Sequence, residues 1–311
     1  MKKYITRQII LILPTLLIVS VIAFAMIRLL PSDAVDTYLL ANHLTKTEEN
    51  VKMAEVRFGL DKPAPVQYVN WVKDICHLDF GQSYTSNQEV SELLWRAFCA
   101  TMQLALAAMI WILVLTPVMG IMSARKPHGL MDKFTRIFCL MGTAVPSFVL
   151  GFFLIRFFGV KLKLLPISGK DSWLNYILPS FTLALSHIAS FVQMLRNELL
   201  ENRNGSYTHY AMARGIKEKT IFHTHILKNS MLPVVNSVGI SIGRLIAGTV
   251  VIENVFSWPG LGQLITKSIL ARDYPVIQAY ILLIAIVFIV ANLFADLLSA
   301  FVDPRIRLGE K

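Results

Sequence analysis

The sequence predicts an all-α membrane protein with six transmembrane helices and a small extracytoplasmic domain between the first and second of them. Three observations predict it. Apolar residues make up 55% of the 311-residue chain and charged residues only 16%. The apolar residues come in unbroken blocks rather than alternating with polar ones, a pattern that hydrocarbon tolerates and water does not. The Lys and Arg residues, behind a net charge of +10, concentrate in alternate connections between those blocks, the bias that orients membrane proteins.

The first block spans about 8–27 and follows Lys2, Lys3 and Arg7. Ala23-Phe24-Ala25 imitates a signal-cleavage site, but the run is longer than the roughly 7–15 residues of a secretory core, so an uncleaved first helix is expected. A polar stretch over 32–95 follows, in which acidic residues outnumber basic ones. It holds turn and cap signals at Pro31-Ser32-Asp33 and a helical pattern in TKTEENVKMAEVRFGL. Five further blocks lie at about 101–123, 137–159, 176–195, 231–252 and 276–300. Each is long enough to cross about 30 Å of hydrocarbon at roughly 1.5 Å per residue. Pro117, Pro146 and Pro179 fall in or near these blocks and predict kinks.

Orientation follows from the connections. The 124–136 connection carries Arg125, Lys126, Lys133 and Arg136 against Asp132. The 196–229 connection carries Arg196, Arg203, Arg214, Lys217, Lys219 and Lys228 against Glu198, Glu201 and Glu218, and the tail adds Arg305, Arg307 and Lys311. Only 160–175, with Lys161, Lys163 and Lys170 against Asp171, runs mildly against the bias. The consistent solution is a multi-pass protein of the cell membrane with both termini in the cytoplasm. Its segments are 1–31 (start and first helix), 32–95 (extracytoplasmic), 96–302 (the remaining helices and the 201–229 region) and 303–311 (cytoplasmic tail). The positive charge is then a topology signal; the expected partner is the lipid bilayer and not nucleic acid.

Catalytic chemistry finds no footing. GxxxxGK[ST], GxSxG and HExxH are absent. Cys76, Cys99 and Cys139 have neither CxxC spacing nor an even number, and Cys76-His77 alone is not a ligand set. His223 and His225, two apart, diverge on a helix. No catalytic residue, resident metal or bound cofactor is expected, and any ATP and magnesium for uphill transport belong on another polypeptide.

Four ionisable residues lie within or at the rim of predicted spans: Arg156, His187, Arg244 and Asp296. Such groups are expensive in hydrocarbon and mark a pathway or an internal pair. Arg156 and Asp296 are near enough to span ends to snorkel. Arg244 is mid-span, so a polar cavity or a buried partner is expected there. His187 either contacts cargo or makes an interhelical hydrogen bond. Gly239 and Gly243 form GxxxG, with Ala247 and Gly248 one turn on, which predicts close helix packing. After Glu253-Asn254, the run Ser257-Trp258-Pro259-Gly260 predicts a turn and Leu261-Gly262-Gln263 a new helix. Trp258 suits a membrane interface, and Arg272-Asp273 suits a charge pair ahead of the last span. This stretch is either a lid or seat for a binding protein, or only a tight connection.

The 196–229 connection reads as two short helical pieces meeting at Gly215. It is far longer than the usual two to eight residues between helices, which favours a docking element over a passive linker. Its SYTHYAMARG followed by HILKNSMLP resembles the cytoplasmic coupling motif of B-type permeases in the dipeptide, oligopeptide and nickel family of ABC importers. Ala211, Arg214, Gly215, His225, Lys228 and Asn229 fall on that motif. His209 and Tyr210 stand where the generic signature has an acid and an alanine. Arg28-Leu29-Leu30-Pro31, FGLDKPAPVQYVNWV with HLDFGQSY, AVPSFVLGFF, YILPSFTLAL, VIENVFSWPGLGQL with RDYPVIQA, and DLLSAFVDPRIR resemble the family in order.

The resemblance implies a type I ABC importer permease fold, a second homologous permease, two ATPase subunits that bind ATP and magnesium, and an extracytoplasmic substrate-binding protein. Beside it, His187, Arg244, Glu253, Trp258, Arg272 and Asp273 are expected on the translocation path or its gate. The wording LDKPAPVQYVNWV…HLDFGQSY is similar to permeases for nickel and for metal–metallophore complexes of the staphylopine type, so the expected cargo is nickel or another divalent metal bound to a metallophore. A dipeptide or oligopeptide is the alternative. A stand-alone secondary transporter is disfavoured because no repeat relates the halves and only Arg244 is firmly mid-span. A membrane-embedded enzyme lacks a nucleophile–base set.

Overall fold

The computed structural model describes residues 2–28, 34–58 and 61–302, and among these the regular elements are helices, apart from one antiparallel bridge between Gln82 and Glu89. The expected turn at 31–33, Leu29-Leu30, Gly59-Leu60 and the 303–311 tail lie outside the described residues. So do the side chains of Lys2, Lys3, Arg7, Arg28 and Asp296. The chain forms two compact units, one of 1–101 with 259–290 and one of 102–258 with 291–311.

The first unit contains α1 (Lys2–Arg28), α2 (Ala34–Ala41), α3 (Glu48–Phe58) and α4 (Ala64–Cys76). α5 (Val90–Arg125) contributes its start, followed later in the chain by α12 (Leu261–Leu270) and most of α13 (Tyr274–Val302). The helix expected in TKTEENVKMAEVRFGL is α3. α4 begins behind Pro63, with a proline in its first turn where a missing N–H costs nothing. It packs on α1: the Phe24 ring lies 5.3 Å from Tyr68 and 5.9 Å from Trp71, and Ser20 and Tyr68 share a 2.8 Å hydrogen bond. Val35, Tyr38, Leu39 and Ala54 close over Tyr84 and Tyr274, giving α2 and α3 a small core. Val90, Leu94 and Ala97 of α5 bury against Leu261, Val276 and Ala279.

The second unit holds the rest of α5, α6 (Leu130–Ala144), α7 (Ser147–Leu154), α8 (Ile177–Arg203), α9 (Ser206–Ala213), α10 (Glu218–Ile221) and α11 (Leu227–Val255). α8 is its axis, with α6, α7 and α11 packed along it. The closest approaches use small residues. A Cβ on Gly142 of α6 would sit 2.7 Å from the Ala189 Cβ, and one on Gly120 of α5 would sit 2.8 Å from Leu195 Cδ2. Gly239 and Gly243 are buried on α11, as expected of a packing face.

Among the described residues four helical stretches are long and apolar enough to cross a membrane: Val90–Arg125, Trp173–Arg203, Glu218–Val255 and Tyr274–Phe294. The described apolar part of α1 is Pro14–Met26. The block at 137–159 departs from expectation. Instead of one kinked span, Leu130–Ala144 and Ser147–Lys161 meet at 114°. Pro146 explains the break, because its ring excludes the α conformation from the preceding residue and Val145 is extended at φ −94°, ψ 129°. The second arm ends in a wide π-type turn over Ile155–Lys161. Pro179, expected to kink a span, lies in the first turn of α8, where backbone N–H groups lack intrahelical partners anyway.

Candidate functional site

The 196–229 connection folds as a braced element. α9 ends at Arg214 with Gly215 at φ +75°. The Gly215 N–H donates to the Met212 carbonyl at 2.9 Å and the Ile216 N–H to the Ala211 carbonyl at 3.3 Å. This is a Schellman ending, which needs a left-handed residue and favours glycine there. Asn202, near the end of α8, ties the element down. Its amide donates to the buried Ser230 hydroxyl of α11 at 2.9 Å, its side-chain oxygen accepts from Tyr207 at 2.6 Å, and its carbonyl accepts from Thr208 at 2.7 Å. α9 buries Thr208 and Ala211 and exposes Tyr207, Tyr210 and Met212, followed by Ile216. The Arg214 guanidinium lies 5.8 Å from the Tyr210 ring. Of the expected coupling residues, Ala211 therefore faces inward, while Arg214, His225, Lys228 and Asn229 are exposed. A five-residue π turn, Phe222–Ile226, carries His225 and leads into α11.

A buried ion pair beside this element was not foreseen. Asp132, fully buried in α6, accepts from Arg196 Nε at 2.5 Å and Nη2 at 3.0 Å, from the Ser123 hydroxyl at 2.6 Å and from the His128 N–H at 2.9 Å. Arg136 adds an exposed contact at 3.2 Å. The bidentate geometry and extra hydrogen bonds are what a buried charge requires. The carboxylate joins the end of α5, the start of α6 and the last turns of α8, just ahead of α9.

His187 and Arg244 come together. Both line an open cavity of about 470 Å³ between α8 and α11. Glu253 and Trp258 belong to the same unit, at the far end of α11. Trp258 is not an interface residue with a wet N–H: it is fully buried, its ring edge-on to Tyr176 at 4.6 Å with the Lys170 ammonium 5.8 Å from its centroid. A Schellman turn holds it, with Trp258 N–H donating to the carbonyl of the buried Glu253 at 2.8 Å and Ser257 at φ +49°. Arg272 and Asp273 lie in the other unit and form no charge pair. Asp273 is buried and accepts from the Ser83 hydroxyl at 2.5 Å, the Tyr84 N–H at 3.1 Å and the Thr85 hydroxyl at 2.8 Å. Arg272 is exposed at φ +55°, because it occupies the left-handed position of the turn that presents Asp273. No group of three His, Cys, Asp or Glu side chains able to hold a metal ion occurs among the described residues.

Residues 117–308 match the family of binding-protein-dependent transport system inner membrane components, and residues 1–105 match the N-terminal part of such components. The chain belongs to this family. It is a multi-pass inner-membrane permease subunit of an ABC importer, and not itself an enzyme. Family membership implies partnership with another permease, an ATPase and a substrate-binding protein. The permease is 36% identical over 307 residues, 99% of each chain, to the glutathione transport system permease protein GsiC of Pectobacterium atrosepticum. It matches the GsiC protein of Salmonella typhimurium to the same extent. It is 35% identical over 310 residues to that of Escherichia coli K12, again over 99% of both chains. Among solved structures, a chain of the MetNI methionine ABC transporter in an inward-facing conformation superposes with a TM-score of 0.54 at 18% identity, covering 68% of this permease and 96% of that chain. That likeness bears on the fold, which is the type I importer permease fold.

Proposed function

We propose that this permease conducts short peptides into the cytoplasm, as one half of a permease pair whose 206–229 element transmits ATPase motion to the membrane helices. The observation that carries the coupling role is the braced α9: a short helix, clamped at Asn202 between α8 and α11, presenting Tyr207, Tyr210, Met212 and Ile216 outward. A rigid lever tied to two long helices is the kind of element that turns a partner's nucleotide-driven closure into a switch between bundle states. The ATPases bind ATP with magnesium, and both permease termini lie on their side of the membrane. A peptide cargo is supported by the glutathione permeases to which the chain is similar over its whole length.

A second reading, a metal–metallophore cargo, rests on the wording of 60–84. It needs no protein ligands, since a metallophore saturates its own ion. Uptake of labelled glutathione and dipeptides, against radionickel with metallophore, in a strain lacking the permease decides between the two.

The coupling role predicts that Ala211→Asp and Gly215→Val abolish uptake while membrane insertion and permease pairing persist. Ala211→Asp buries a charge under α9. Gly215→Val forces a β-branched residue to a left-handed φ, at about 1–2 kcal/mol. Normal uptake by both variants would remove the coupling assignment.

A further inference from the structure

We propose that the cavity between α8 and α11 is a carboxylate-binding subsite on the translocation path, with Arg244 as its anchoring cation. The inference rests on the peptide reading above and names the group of the cargo that the membrane helices recognise.

The register of the two helices places the site. Asn202 meets Ser230, Met194 meets Ser237 at 3.5 Å, and a Cβ on Gly248 would lie 3.6 Å from Leu183 Cδ1. Residue numbers fall along α8 as they rise along α11, so the helices are antiparallel and His187 stands level with Arg244. Both are about ten residues, or roughly 15 Å, from the helix ends remote from the coupling element, which is mid-bilayer depth.

Hydrogen-bonding capacity then decides what the cavity lacks. Three of its four serine hydroxyls have placed their protons: Ser190 on the Ser186 carbonyl at 3.0 Å, Ser241 on the Val238 carbonyl at 2.8 Å, and Ser237 on the Met194 sulfur; the fourth, Ser186, stands 3.5 Å from His187 Nδ1. The guanidinium of Arg244 is different. Among the described residues no carboxylate lies within ion-pair distance of it. The cavity thus has its surplus donors on Arg244 and carries one fixed positive charge, while its acceptors are hydroxyl lone pairs, the Met194 sulfur and a His187 ring nitrogen. Phe191 and Ile240 form apolar walls. Arg244 is exposed to this cavity, and a guanidinium in such a setting is matched by a planar anion with two acceptor oxygens. The volume of about 470 Å³ is in the range of small-molecule sites. A peptide's free carboxylate fits this chemistry; an amide or a bare metal cation does not.

The test uses the complete transporter, with both permeases, the ATPases and the binding protein, reconstituted in liposomes. The probes are labelled trialanine and its C-terminal amide, with the binding protein's affinity for each measured separately. Arg244→Gln is expected to lower trialanine uptake roughly 10- to 100-fold. Arg244→Lys should retain part of it, and amide uptake should be the same in wild type and R244Q. Equal trialanine uptake by R244Q and wild type overturns the inference. So does loss of the second permease from purified R244Q complexes, which would assign Arg244 to a subunit contact.

If the wild type moves neither probe, the peptide reading fails by itself, and phenylglyoxal labelling of Arg244 in the assembled transporter, located by mass spectrometry, then decides the subsite. Labelling that millimolar succinate suppresses upholds it. An unreactive Arg244, or one that succinate leaves unprotected, overturns it.

Discussion

At the scale of single residues, Asp132 is a fully buried carboxylate whose charge is answered by Arg196. A fully buried carboxylate held by Arg196, Ser123 and the His128 N–H is stable only while all three remain. Removing one partner of a buried pair leaves the other uncompensated, at about 3–5 kcal/mol, whereas replacing both with apolar groups is often nearly neutral. Asp132→Ala should therefore lower the melting temperature of the detergent-purified transporter clearly, and Asp132→Leu with Arg196→Met should recover most of the loss. A single variant that melts like wild type would show that the pair carries no stability. The pair was illegible in the sequence for a physical reason. Its members are 64 residues apart, and each sits in a stretch where charge reads as topology. The one available signal was Asp132 standing alone among the basic residues of 124–136.

At the scale of elements, turns and close approaches decide where the helices go. Asp273 fastens the 83–85 loop to the turn between α12 and α13, and Arg272 and Ser257 accept left-handed backbone so that such turns can close. Asp273→Ala leaves two hydroxyls and a backbone N–H without their acceptor. Hydrogen bonds to a charged group are worth about 1.5–3 kcal/mol. Limited proteolysis should then cut within 80–89 much faster than in wild type; an unchanged cleavage pattern would contradict the clasp. The break between α9 and α10 at Gly215 was readable in advance as the meeting point of two short helical patterns, whereas its left-handed φ of +75° needed the folded chain. The break at Val145-Pro146 was only half readable: proline announced a disturbance, but hydropathy is blind to a 114° bend. The burial of Trp258 was hidden because Tyr176, which covers it, is far away in sequence.

At the scale of the whole molecule, the apolar blocks announced the class of protein because hydropathy is a property of local composition. The partner-facing logic needed the folded chain. Tyr207 and Tyr210, one turn apart on α9, become an outward face only once Asn202 has fixed α9 against α8 and α11. We propose that an ATP-hydrolysing subunit grips this face. A photo-crosslinking amino acid at position 210, in the transporter assembled in membrane vesicles, tests it most directly. The expected result is a crosslink to the ATPase subunit whose yield changes when ATP binds. Crosslinks to lipid alone, or an ATPase never captured in either nucleotide state, would contradict it.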